Sequence, residues 1–312
     1  MLSKFKNTRL LTIIGIFLII VCCSACFKEK FYFAAQESID WSVLVNRLIA
    51  DGFDEKEIRK LFAHPDLKFD QAIMAGKLKE LINNRDKSTA DREQAIKALD
   101  KGYLRPAVIA RARSFMNDNK QELENIKNVY CVPSEIVVSI VLVETMLGKF
   151  MGGRKAFNAL ASMSLMSDID MVRPYLESGL VVPENEEFAA AKCRVKSERA
   201  YLELKWLLKY AAINNVDPLS IPGSVYGAIG ICQFLPSNVY MYGVDADKKG
   251  RIDLFSRNDA LHSIASYLRG NGWQCGMTRA RQKEVILTYN NSHIYANTVL
   301  GVADKLKTRK KE

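Results

Sequence analysis

The chain has 312 residues, 48% of them hydrophobic, and a formal net charge of +10. That length and composition allow a sizeable core in one or two domains. The positive balance comes partly from the two ends and lacks aromatic-basic interleaving, which argues against nucleic acid and toward an anionic lipid surface or an acidic polymer.

Residues 1–26 read as an export leader. Lys4, Lys6 and Arg9 precede the apolar run "LLTIIGIFLIIV", which is short for a membrane span, and "CCSAC" follows. Ser24-Ala25-Cys26 resembles the end of a bacterial lipobox, which makes Cys26 the expected lipidation site, although Cys23 stands where Leu is usual. The other reading is an uncleaved anchor helix starting near Leu10. Either one exports the chain and holds it at a membrane.

Residues 27–130 form a helical N-terminal region. Trp41, Leu44, Val45 and Leu48 make one apolar stripe, and Ile58, Leu61 and Phe62 a second, with Gly52 between them as a helix C-cap. "NNRDKSTADREQAIKALDKG" is a linker or a solvated helix. Helical spacing resumes at Val108 and continues to Tyr130, with Pro106 near its start.

The next helix begins after Pro133, with Ser134 as candidate N-cap, and contains "VVSIVLVETMLGKF". On a helical wheel Ser134, Glu135, Ser139, Thr145 and Lys149 share one face. Glu144 falls opposite, beside Val137, Ile140, Val141 and Leu147. An acid on an apolar face is paired, frayed or kept for chemistry; the pairing candidates here are Lys149, Arg154 and Lys155. "SERAYLELKWLLKYAAINN" is a further amphipathic helix stopped at Asp217-Pro218, and "DALHSIASYLRGNGW" another that ends at Gly270. Four cysteines beyond the leader, Cys131, Cys193, Cys232 and Cys275, admit three pairings, and nothing in their spacing selects one. His64, His262 and His293 are too scattered for a metal centre.

"PGSVYGAIGICQFLPSN" is rich in Gly yet carries Ser224, Tyr226, Gln233 and Phe234, while "TYNNSHIYAN" sets Tyr289, Asn290 and Tyr295 close together. Rings stack on pyranose faces and amides bond hydroxyl and N-acetyl groups, so with one acid on an apolar helix these stretches suggest a carbohydrate-cleaving site.

Four blocks, "YCVPSEIVVSIVLVETMLGKFMGGRKAFNALASMS", "DPLSIPGSVYGAIGICQFLPSN", "YGVDADKKGRIDLFSRNDALHSIASYLRGNGW" and "YNNSHIYA", resemble the membrane-bound lytic murein transglycosylases of the B type, in the order that family has them. The resemblance runs from about Ser38 to Leu306. It implies a mainly α fold: a lysozyme-like catalytic core over residues 131–306, a small β or irregular element, and a basic tail at 307–312. It places the catalytic acid at Glu144 and substrate contacts at Ser224, Gln233, Phe234, Tyr289, Asn290 and Tyr295. Where the family has paired arginines, this chain offers Lys196, with Arg194 and Arg199 as substitutes. The implied activity is cleavage of the MurNAc-GlcNAc bond of peptidoglycan without water, on the periplasmic side of a bacterial membrane. The alternatives are an inactive peptidoglycan-binding scaffold and a hydrolytic muramidase.

The resemblance also implies an EF-hand-like segment. Asp245, Asp247 and Asp259 suit calcium, but Lys249 occupies a ligand position and opposes it, so no cofactor is expected to be required and calcium is disfavoured. Residues 167–193 read as an insertion, a candidate cover for the glycan groove or a contact for a cell-wall protein.

Overall fold

The computed structural model describes residues 39–307, so the leader with Cys26 and the tail beyond residue 307 lie outside the described residues. The chain divides into compact units Met1–Val43 and Leu44–Glu312, and the second is the subject from here on.

The expectation of a mainly α chain holds. In order the helices are α1 (Ser42–Ala50), α2 (Glu55–Phe62), α3 (Ala72–Arg85), α4 (Thr89–Lys97), α5 (Pro106–Asp118), α6 (Lys120–Tyr130), α7 (Ser134–Thr145), α8 (Ala156–Leu165), α9 (Ile169–Val172), α10 (Glu186–Asn214), α11 (Pro236–Tyr242), α12 (Arg257–Gly270), α13 (Arg279–Tyr289) and α14 (His293–Lys307). Two short strands, β1 (Arg154–Lys155) and β2 (Pro222–Gly223), pair antiparallel, Arg154 opposite Gly223. Gly152 makes this pairing possible: a Cβ there would stand 2.0 Å from the Gly223 carbonyl oxygen.

Several sequence features act as read. Leu44, Val45 and Leu48 are buried, and Gly52 ends α1 at φ 88°. The polar stretch after Ile82 contains a solvated helix, α4, started by a capping box between Ser88 and Asp91 and burying none of its residues. Pro106 opens α5, and α12 ends at Gly270.

Other features differ. The helix expected from Val108 to Tyr130 breaks at Asn119, which leaves helical geometry (φ −116°, ψ 22°); its side-chain amide donates to the Phe115 carbonyl at 2.6 Å and replaces the continuing ladder. Ser134 is not the N-cap of α7. Pro133 holds that position, and Ser134 is the first helical residue. The middle of the polar face of α7 is covered, because α7 packs among α5, α6, α12 and α14: Lys149 beyond the helix is exposed and Ser134 and Glu135 are partly buried, but Ser139 and Thr145 are buried. Their hydroxyls are satisfied by backbone, Ser139 donating to the Glu135 carbonyl at 2.5 Å. The long helix α10 already starts at Glu186, so the last residues of the inserted segment are helical, and it stops at Asn215 in the left-handed region rather than at Asp217-Pro218. Of the three cysteine pairings, Cys131–Cys275 is the one formed, leaving Cys193 and Cys232 free and buried.

Candidate active site

Glu144 lies on the last turn of α7. Directly after the helix the chain reverses through three left-handed residues, Met146 (φ 49°), Leu147 (φ 66°) and Gly148 (φ 84°). Two of these are not glycine, a conformation that costs on the order of 1–3 kcal/mol each and persists only where the surroundings hold it. Thr145 does much of that holding. Its hydroxyl lies 3.0 Å from the Ile231 carbonyl oxygen and accepts from the Gly148 amide at 3.0 Å. The end of α7 is thereby bolted to the Gly-rich segment that starts after β2.

The Glu144 carboxyl is half-buried at this corner. None of its candidate cations pairs with it: Arg154 is bonded to Asp70, the Lys155 ammonium donates to the Ser220 carbonyl oxygen, and Lys149 is exposed. Desolvation without a compensating charge pushes its pKa up to about 7, opposed only by an interaction with the Tyr295 hydroxyl. That hydroxyl is buried and has no partner at full hydrogen-bond geometry, and Glu144 helps hold its own pKa well above the ordinary phenol value. Tyr103, between α4 and α5, completes the surroundings. It donates to the Val143 carbonyl at 3.2 Å, and burial raises its pKa, with Asp100 and Glu144 adding to the effect.

The Gly-rich segment is built largely from its own side-chain bonds. The Ser224 hydroxyl accepts from the amides of Tyr226 (3.2 Å) and Ala228 (3.0 Å), closing a tight loop. Gln233 sits at φ 51°, and its amide donates to the Gly230 carbonyl at 2.9 Å and the Met151 carbonyl at 3.3 Å, tying the chain after Glu144 to the same segment. Tyr289 donates to the Cys232 carbonyl at 2.5 Å, and its ring stacks 6.4 Å from that of Tyr295.

Two expected substrate contacts need correction. Phe234 is 1% exposed and packs between Tyr267 and Tyr289, so its ring supports the segment from beneath and offers no face to a sugar. The Tyr289 hydroxyl is likewise committed to Cys232. Asn290 is exposed at the C-cap of α13.

Lys196 lines a separate cavity of about 230 Å³ with Lys77, Arg199, Glu203 and Tyr226. Its ammonium has a lowered pKa, from desolvation first and then from Lys77, Arg199 and Lys192, the mark of a pocket with excess positive charge. Arg199 therefore stands where a partner of Lys196 was sought, whereas Arg194 is exposed and outside this lining. Glu203, a buried carboxylate, is spent on Ser237, whose amide and hydroxyl both donate to it at 2.9 Å at the start of α11.

Where the loop between α11 and α12 meets the first turn of α12, one ligand atom from each of Asp245, Asp247 and Asp259 falls within 4.8 Å of the others. Their oxygens already have partners. Asp259 accepts from the Ala246 and Asp253 amides, Asp245 from those of Lys249 and Gly250, and Asp247 pairs with the Lys249 ammonium at 2.7 Å. The Lys249 ammonium contacts Asp247 alone of the three, and its side chain is 70% exposed.

A sequence profile described as "Transglycosylase SLT domain" matches residues 37–284. Membrane-bound lytic murein transglycosylase B of Escherichia coli (strain K12) is 28% identical over 247 residues, which are 78% of this chain and 58% of that protein's length. Among solved structures, the soluble lytic transglycosylase SltB1 of Pseudomonas aeruginosa superposes with a TM-score of 0.64 at 24% identity, covering 85% of this chain and 97% of that one. SltB3 of the same organism, solved in complex with NAG-anhNAM-pentapeptide, gives a TM-score of 0.63 at 20% identity, covering 86% and 78%.

Proposed function

The chain belongs to the transglycosylase SLT domain family, and on that premise we propose that it is a lytic transglycosylase of peptidoglycan with Glu144 as its one acid-base group. Protonated Glu144 donates to the oxygen joining N-acetylmuramic acid to N-acetylglucosamine. As that C1–O bond breaks, the muramyl N-acetyl group stabilises the charge developing at C1. Carboxylate Glu144 then takes the proton from the muramyl C6 hydroxyl, whose oxygen closes on C1. The proton returns to Glu144, a 1,6-anhydro end forms, and no water is consumed.

The observation that carries this reading is the environment of Glu144: desolvated, free of cations, with a pKa of about 7. Near neutral pH both protonation states are populated, which one group serving as acid and then base requires. Glycosidases that hydrolyse pair two carboxylates across the bond. Glu203, the buried carboxylate of α10, is bonded to Ser237 instead. The anhydro sugar in the SltB3 complex is consistent with the same chemistry in this chain.

Around Glu144 we assign Thr145, Ser224, Gln233 and Tyr289 to positioning the two chain segments. Tyr295 and Tyr103 border the acid, Asn290 is free to meet the glycan, and Lys196 with Arg199 meets acidic groups of the substrate. No metal is required in this scheme, since Lys249 supplies the loop cation. Cys26 or the apolar run before it anchors the chain at an envelope membrane, and the exposed Met171 and Tyr175 of the inserted segment are its contact for a cell-wall partner.

The test is mass spectrometry of muropeptides released from purified sacculi, with Glu144→Gln alongside. Products about 18 mass units below their hydrated forms, absent with the variant, support the proposal. Hydrated products would make the chain a muramidase, and binding without products a scaffold.

A further inference from the structure

A second cavity, whose lining does not include Glu144, opens at the C-terminal end of α10 where α11 and the acidic loop meet it. Its volume is about 390 Å³, and its walls include Trp206, Lys209, Asn214, Tyr240 and Arg251. The rings of Trp206 and Tyr240 meet at 4.6 Å and 32°, with the Lys209 ammonium 4.6 Å above Trp206. Two of its lining residues are apolar and exposed, Ile213 at 68% and Tyr240 at 66%, and Met241, next in the chain to Tyr240, is 58% exposed. Asn214 lies at the back. It is 6% exposed, its amide nitrogen donates to the Tyr210 carbonyl, and its amide oxygen is buried without a partner among the described residues. A smaller cavity of about 210 Å³ shares Tyr210, Asn214, Arg251 and Ile252 and extends to Pro222 in β2, the strand that leads into the Ser224 loop.

We propose that this cleft is a second, non-cleaving site for peptidoglycan, one that takes an N-acetylated amino sugar bearing a carboxylate. The identity of the ligand rests on the function proposed above; the existence of a site does not. The exposed Tyr240 ring, backed by the half-buried Trp206, offers the flat apolar face on which a pyranose stacks. Lys209 and Arg251 supply positive charge for a lactyl or stem-peptide carboxylate. The unfilled Asn214 oxygen matches an acetamido or peptide N–H, and an unpaired buried acceptor is otherwise a cost. Asp245 also lines the cleft, but its oxygens accept from the Lys249 and Gly250 amides, so apolar rim, recessed amide and flanking Lys209 and Arg251 together fit an anionic glycan. A lipid surface would cover Ile213, Tyr240 and Met241 but leave the recessed amide unfilled.

The consequence is retention. A strand cut at Glu144 stays held at the cleft, so the enzyme remains on the wall between cuts. The test uses the full chain in detergent, with Glu144→Gln to prevent cutting, and measures retention on purified sacculi with and without Tyr240→Ala/Arg251→Ala. Both residues are exposed, and circular dichroism checks the fold. We expect retention to weaken about tenfold. With Glu144 intact, the same double variant should cleave a short soluble muroglycan at an unchanged kcat/KM. Unchanged retention overturns the proposal, as does an equal loss of cleavage on the short fragment. A loss seen on anionic vesicles, with sacculus retention intact, would identify the patch as a membrane contact and overturn it too. Absence of any turnover in the wild type, with retention still lost in the variant, would fell the proposed activity and leave this site standing.

Discussion

Two carboxylate-bearing corners of this molecule are built on opposite principles. At the end of α7, Glu144 is withdrawn from water with no cation beside it, and its proton is held up to about pH 7. In the loop before α12, Asp247 lies against the Lys249 ammonium at 2.7 Å, and that bond lowers its pKa. Both corners are held by backbone amides and tight turns, so rigidity does not distinguish them. What differs is the company each acid keeps. Under the proposed function the group that passes a proton is left unpaired, whereas the group that shapes a loop is neutralised in place.

This contrast can be broken in four places. The largest effect belongs to Glu144→Gln, which removes the proton carrier while keeping shape; cleavage should fall by about 10²–10⁴-fold, with far-UV dichroism unchanged. Second is Thr145→Val, which releases the bolt between α7 and Ile231. Leaving that carbonyl unpaired should cost about 1–3 kcal/mol in denaturant unfolding, and kcat should drop more than KM shifts because the acid is misplaced.

Third is the pH dependence of stability. The folded pKa of Glu144 lies above the carboxylate's ordinary value of 4.5, so between about pH 4.5 and 7 the folded state binds more proton than the unfolded one. The wild type therefore loses stability across that window as pH rises. Glu144→Gln should be more stable by on the order of 2–3 kcal/mol at pH 8 and indistinguishable at pH 4, while wild-type cleavage declines above about pH 7. The smallest effect sharpens the other corner. Calcium should leave the wild-type Tm unchanged, and Lys249→Asn, which removes the built-in cation, should make the Tm rise on adding calcium.

Much of this was legible in the residues, though unevenly. Apolar stripes and punctuating Gly and Pro located α1, α5 and α12, because those signals act within one turn of the chain. The acid stood out because a charge beside Val137, Ile140 and Val141 is anomalous whatever the fold. The surroundings were less legible. The wheel set Ser139 and Thr145 on a shared polar face, but both are buried because four other helices pack around α7, and that packing is a long-range fact. Phe234 lies in a motif from which substrate contacts were expected, and only packing against Tyr267 and Tyr289 reveals it as support. Tyr103, directly after the stretch read as a linker or solvated helix, arrived unannounced. Its one clue was an aromatic residue closing a polar run.

The bond between Cys131 and Cys275 gives the chain a different topology from its linear sequence. It closes a covalent ring spanning 144 residues, entered just before α7 and left just before α13. Glu144, Thr145, Ser224 and Gln233 are all inside that ring, and Tyr289 and Tyr295 hang outside it as part of the trailing segment. A single cut by a protease anywhere within the ring, in the exposed turn at Gly179 for instance, leaves both pieces covalently joined and still opposed across the active corner. The cut chain would migrate as one species until a reductant is added. A nicked molecule would not thereby be a lost one.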